Sequence, residues 1–189
     1  MRNTIIYLIG HYGVGKLTVA QAICAASDAR LFDNHLANNV IFSLIRADGK
    51  TPLPEAVWDL IDVIRDQAFT AIETMTSPDT SFVLTNCLLE SDPGDRAAYE
   101  KVVAVAARRG NVFVPVVLSA SDAAHAARVG APERAARLKH TDVDGAWRKR
   151  QAEPLLRVDH PHRLDLDTTD LPPDTAAAQI IAHAESLAP

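Results

Sequence analysis

The residues with the clearest chemical purpose are Gly10-His11-Tyr12-Gly13-Val14-Gly15-Lys16. The spacing Gly-x-x-x-x-Gly-Lys lets a backbone curl until several N–H groups point inward at an anion. Lys16 adds a point charge suited to the β- and γ-phosphates of a nucleotide. The plain alternative is a glycine-rich turn. A strand-like run directly before the loop and a helix-like run directly after it favour the phosphate reading. One position departs from the pattern. A Ser or Thr normally follows the lysine as a magnesium ligand, whereas Leu17 stands here and Thr18 comes next. Thr18 suits a hydroxyl beside the α-phosphate. Magnesium is then expected to rest mainly on phosphate oxygens and water, with Thr18 and Asp33 as the candidate residues on the metal side.

A second group carries acceptor chemistry. Asp33-Asn34-His35 follows a short strand and opens a helix. Asp33 suits a general base, because phosphoryl transfer needs a hydroxyl aimed at phosphorus. Equally, Asp33 or Asn34 can cap the helix, and His35 can be a packed or exposed histidine. Thr85-Asn86 ends a third strand, and Glu90 is a lesser carboxylate candidate four residues on. Trp58 and Arg65 share one helix face. They suit either an acceptor pocket, with Arg65 on an anion, or a core tryptophan and a solvated arginine.

Residues 128–150 hold seven basic side chains (Arg128, Arg134, Arg137, Lys139, Arg148, Lys149, Arg150) against three acidic ones. In a chain of net charge −5 that is either a local site or a solvated helix face. Pro132-Glu133 predicts a helix that points Arg134 and Arg137 the same way.

These residues need elements to place them. Residues 4–9, 31–32, 82–84, 112–118 and 163–167 read as strands. The first is apolar on both faces, as a central parallel strand is. Helices are expected over 17–26, 36–46, 54–76, 93–109 and 173–187. Alternation of strand and helix predicts a parallel sheet covered on both faces. Ligands in such sheets bind beyond the carboxyl ends of the strands. Gly10, Asp33, Thr85-Asn86, Ser119 and Thr168 should therefore converge.

Composition narrows the classes. The chain has 189 residues, 48% hydrophobic and 23% charged, as one soluble domain would. Its acidic balance argues against nucleic acid and anionic membrane as partners. Cys24 and Cys87 are too few for a disulfide framework and match no metal spacing. The opening apolar run is too short for a signal peptide or a membrane span, so a cytoplasmic location is expected; a monomer or homodimer is expected as well.

The motifs resemble one family branch. Gly13-Val14-Gly15-Lys16-Leu17-Thr18-Val19-Ala20, Leu31-Phe32-Asp33-Asn34-His35 and Leu166-Asp167-Thr168-Thr169 are similar to small P-loop kinases of the shikimate-kinase-like and nucleoside-monophosphate kinase branch, and to small bacterial AAA-family ATPases. The resemblance covers nearly the whole chain and implies a five-stranded αβα sandwich with strand order 2-3-1-4-5. It implies a helical acceptor region over about 34–78 and a mobile lid over about 120–150. A carboxylate at Asp33 would hold the acceptor hydroxyl or position magnesium. Arg128, Arg134 and Arg137 would close over ATP, and Thr168-Thr169 would pack against adenine. The implied activity is transfer of the γ-phosphoryl of ATP to a small-molecule acceptor. The alternative is a nucleotide-binding ATPase or regulatory module without such an acceptor. A GTPase-type switch is disfavoured, because no Asn-Lys-x-Asp tetrapeptide occurs.

Overall fold

The computed structural model describes residues 1–45, 47–48, 51–132, 134 and 138–187. The elements run in the order β1 (Thr4–Ile9), α1 (Lys16–Ala26), β2 (Arg30–Asp33), α2 (Asn34–Ile45), α3 (Glu55–Met75), β3 (Phe82–Asn86), α4 (Pro93–Arg109), β4 (Val112–Ser119), α5 (Asp122–Val129), α6 (Val143–Ala152), β5 (Leu164–Asp167) and α7 (Pro173–Ser186). The five strands are all parallel and lie in the order β2-β3-β1-β4-β5, as the motifs implied.

Strand β1 shows why the sheet has two covered faces. Its residues alternate with the period of a strand. Ile6 and Leu8 pack into a core with Ile23 of α1 and Ile180 of α7. Ile5, Tyr7 and Ile9 point the other way, into a core with Ile72 of α3 and Val102 and Val105 of α4. A third cluster, Ala37, Phe42, Val57 and Ile61, joins α2 to α3. No helix among the described residues is long and apolar enough to cross a membrane.

Two stretches depart from expectation. Helix α2 starts at Asn34, ahead of the expected 36, because the Thr85 hydroxyl accepts a hydrogen bond from the Asn34 N–H at 3.2 Å. A neighbouring strand thus satisfies an N–H that a helix start would otherwise leave unpaired. The described residues between α5 and α6 contain no α-helix, where one was expected to open at Pro132. Glu133 lies outside the described residues. Helices α5 and α6 flank that stretch, each opened by a side-chain cap: Ser121 accepts from the Ala124 N–H and Asp142 from the Gly145 N–H.

Ile6 is fully buried at the centre of the first core. Ile6→Ala is expected to cost about 2–5 kcal/mol of stability, read from urea denaturation. A loss well below that would mean that the sheet and helices α1 and α7 close over the gap.

Candidate functional site

The strand register fixes where the site lies. Ile9 pairs with Asn86 and Val117, Asp33 with Thr85, and Ser119 with Asp167. The carboxyl ends of all five strands therefore stand side by side. Beyond them opens a crevice of about 450 Å³, lined by the phosphate loop, Asp33 to His35, Thr85 to Cys87, Thr168 and the segment after α5.

The loop between β1 and α1 is shaped by its glycines. Gly13 and Gly15 have φ of 77° and 89°, a left-handed backbone that glycine adopts without strain. Gly10 passes so close to β4 that a Cβ there would stand 2.7 Å from the Leu118 carbonyl oxygen. Gly15 caps α1 without a side-chain bond to the first helical N–H groups, which leaves these turned to the crevice. The Lys16 ammonium is folded back into the loop, donating to the carbonyls of Gly10 at 2.6 Å and His11 at 2.8 Å. An ammonium has a third donor to offer a phosphate.

Electrostatics follow from the enclosure. Burial pushes Lys16 down from 10.5 to about 8, helped by Lys139 and Arg134. His11 is pushed down to about 4 by burial and by Lys16 and Arg150, so it is neutral near pH 7. His35 falls to about 4 by burial and by Lys139. Cys87, in the crevice wall, is pushed up by burial.

Asp33 is buried, and its carboxylate is oriented. It accepts a short hydrogen bond from the Thr85 hydroxyl, and its other oxygen lies 3.5 Å from the Lys139 ammonium. His35 faces the same crevice, with Nδ1 3.3 Å from the Asn39 side-chain oxygen. Asn34 and Asn86 line it too. Asn86 is largely engaged elsewhere: its amide donates to the Tyr7 hydroxyl at 3.2 Å, and its oxygen accepts from the Cys87 N–H at 2.9 Å.

Several expected residues lie elsewhere. Arg65 opens onto an adjoining cavity of about 70 Å³, which meets the crevice at Asn34, Thr85 and Asn86. It donates to Asp62 and to the Asn38 side chain at 2.8 and 2.9 Å, and its buried Nε has no hydrogen-bond partner. Trp58 packs edge-on against Phe42, outside the crevice wall. Glu90 turns to Arg96 and the Arg157 N–H.

Arg128, Arg134, Thr18 and Thr168 also line the crevice. Arg128 donates to the hydroxyl of Thr168 and to the carbonyls of Thr168 and Thr169. Thr169 is absent from the wall: its hydroxyl donates to Asp167 and accepts from the Ser121 N–H. Arg137 lies outside the described residues. The sequence reading named Lys139 only as a member of the basic cluster at 128–150, and it missed helix α5 as a buttress. A Cβ on Gly13 would stand 2.9 Å from Val129 and 3.0 Å from the His125 carbonyl, both on α5. The signal for α5 was Ser121-Asp122 ahead of an alanine-rich run.

The described residues of the wall do not make a cage for a divalent ion. Leu17 faces the crevice where a hydroxyl ligand would stand, and Thr18 is turned about 100° further round the helix. Among the described residues Asp33 is the one carboxylate in the wall, and both its oxygens have partners. No group of three His, Cys, Asp or Glu among the described residues can hold a metal.

The depressed pKa of Lys16 acts on stability and on binding in opposite directions. Between about 8 and its ordinary 10.5 the unfolded chain holds this proton and the folded chain does not, so the lysine's own contribution to stability rises with pH across that window. A phosphate needs the ammonium charged, so nucleotide affinity should fall as pH rises past about 8, by up to about tenfold per pH unit. Calorimetric titration across that range reads it; a flat profile would separate Lys16 from the phosphates.

No family model and no curated protein matches the sequence. Solved structures do. A gluconokinase from Sinorhizobium meliloti 1021 superposes with a TM-score of 0.62 at 16% identity, covering 98% of this chain and 94% of that one. Shikimate kinase from Acinetobacter baumannii, in complex with shikimate, gives 0.55 at 14%, covering 97% and 93%. The tunicamycin resistance protein of Deinococcus radiodurans gives 0.56 at 18%, covering 95% and 94%. These likenesses span nearly the full length of both partners in each comparison. The chain therefore has the P-loop kinase fold, of the shikimate-kinase-like kind.

Proposed function

We propose that this protein is an ATP-dependent phosphotransferase that moves the γ-phosphoryl group of ATP to a hydroxyl or phosphate of a small molecule. The observation that carries the reading is the crevice itself. The loop of Gly10 to Lys16 and the buried carboxylate of Asp33 border the same space.

In this reading the loop N–H groups and Lys16 hold the phosphates. Thr18 lies beside the α-phosphate, and Arg134, with Arg137, covers the transferring group. Thr168 and Arg128 shape the base end, and Asn34, His35 and Asn86 border the acceptor. Arg65 supplies a cation at the far end of the acceptor space, with a buried Nε to offer. Asp33, oriented by Thr85, takes the proton of the acceptor hydroxyl as that oxygen bonds to the γ-phosphorus. The bond from the γ-phosphorus to the bridging oxygen breaks, and ADP leaves with the electron pair. Magnesium enters with the nucleotide on phosphate oxygens and water, as part of the substrate.

The direct test is transfer of label from γ-labelled ATP across sugars, shikimate-like acids, nucleosides and antibiotics. A labelled product establishes the class; ATP turnover with no labelled acceptor would favour the ATPase or regulatory reading. Lys16→Ala should keep the fold, since its ammonium bonds only to loop carbonyls. It should weaken ATP binding by about tenfold or more, and calorimetry showing unchanged affinity would remove the phosphate-loop assignment. Asp33→Asn should keep ATP binding and lose turnover of the accepted substrate, because the amide cannot take the proton. Turnover at the wild-type rate would leave Asp33 a structural residue.

A further inference from the structure

His35 borders the crevice in the first turn of α2, two positions after Asp33. Two contacts hold its ring. Nδ1 lies 3.3 Å from the side-chain oxygen of Asn39, one helical turn further on. The ring also meets Phe42 edge-on, with centroids 6.4 Å apart, and Phe42 meets Trp58 in the same way at 5.8 Å. The orientation of the imidazole is therefore set by its own helix and by α3.

The partner of Nδ1 decides what the rest of the ring can do. An amide oxygen only accepts, so the proton of the uncharged ring sits on Nδ1 and the lone pair on Nε2. An ordinary imidazole is already mostly uncharged above pH 7, and burial pushes this one further down. Asn39 is not part of the crevice wall, whereas His35 is. The Nδ1 edge is thus turned to the helix and the Nε2 edge to the crevice. Nε2 has no hydrogen-bond partner among the described residues.

The polar groups around it are already engaged. The Thr85 hydroxyl serves Asn34 and Asp33, and the Asn86 side chain is turned to Tyr7 and Cys87. A free acceptor beside the carboxylate of Asp33 calls for a donor on the molecule that enters. A hydroxyl gives that proton without bringing a charge. A phosphate or carboxylate has little proton to give near pH 7, and an ammonium would bring its charge toward Lys16, whose own charge reaches this ring. We propose that His35 is a specificity-determining residue of the acceptor site, its Nε2 accepting a hydrogen bond from a second hydroxyl of the acceptor, so that the acceptor is a polyol rather than a phosphate or a compound with one hydroxyl. This rests on the phosphotransferase reading above and narrows its acceptor.

The test is transfer of label from γ-labelled ATP to three groups of probes. Glucose, gluconate, shikimate and myo-inositol are the polyols, AMP and CMP the phosphate acceptors, and homoserine and choline the compounds with one hydroxyl. Label should enter a polyol. Its analogue lacking the hydroxyl beside the phosphorylated one should lose about tenfold or more in kcat/KM. In His35→Phe, which keeps a flat ring without the lone pair, the intact polyol should fall by a similar factor and the two compounds should be used alike. His35→Gln, whose side-chain oxygen accepts, should restore part of the preference. A role confined to packing would instead lower both compounds together. Should His35→Phe not fold, His35→Gln carries the test, and an equal loss on both compounds overturns the proposal. It is also overturned if His35→Phe keeps the wild-type preference. Label taken best by AMP, CMP or a compound with one hydroxyl would remove this inference and leave the phosphotransferase reading standing. ATP hydrolysis with no labelled compound would remove both.

Discussion

The site depends on one close passage, that of Gly10 beneath β4. Any side chain there would drive into the Leu118 carbonyl, so the chain can turn out of β1 and into α1 only through glycine. The rest of the loop is clamped from several sides. The Thr168 hydroxyl lies 2.8 Å from the Val14 carbonyl and 2.9 Å from that of Ser119, which ties the loop to the ends of β4 and β5. Arg128 holds Thr168 in turn. Val129 and the His125 backbone press on Gly13 from α5. The loop is rigid because neighbours on three elements leave it no other course, and rigidity lets aligned N–H groups act on a phosphate without reorganising.

The Asp33 side of the crevice is built by a different device. Asp33 and Thr85 are paired by register across β2 and β3, so their side chains meet at the sheet edge. The Thr85 hydroxyl accepts from the Asn34 N–H and donates to Asp33. One hydroxyl therefore satisfies a helix start and aims a carboxylate, which is why a polar pair is tolerated at the end of a buried strand. Arg65 stands apart, in a smaller cavity behind this pair, where its Nε has no hydrogen-bond partner. A buried guanidinium with an unmet donor is costly.

Much of this was legible in the sequence, for a physical reason. Central parallel strands are buried on both faces and read as continuous apolar runs, so β1, β3 and β4 stood out. Glycine spacing is dictated by backbone geometry, so the phosphate loop could be read without its partners. Helices α5 and α6 were hidden because both are short and bury few residues, His125 and Val129 of α5 and Ala146 of α6. Thr168 and Thr169 looked equivalent, yet one faces the crevice and the other braces Ser121, a difference set by a single residue of turn geometry. The link between Lys139 and Asp33 spans 106 positions and follows no periodicity, so only the folded chain brings it to view.

The charge distribution joins these points. The chain is acidic overall, with 24 Asp and Glu against 19 Lys and Arg, yet its crevice is basic. Surface carboxylates elsewhere are paired locally, as in Arg96 with Glu90, Lys101 with Asp66 and Arg108 with Glu73, and such exposed pairs add little stability. Their consequence is rather that the long-range field is left mildly negative while the positive charge stays local. An acidic exterior repels extended polyanions such as nucleic acid, and a low-dielectric crevice with several cations draws in a small polyanion that fits within it. For the nucleotide site proposed above, cations placed inside a crevice of about 450 Å³ rather than across a face suit a small polyanion better than an extended strand.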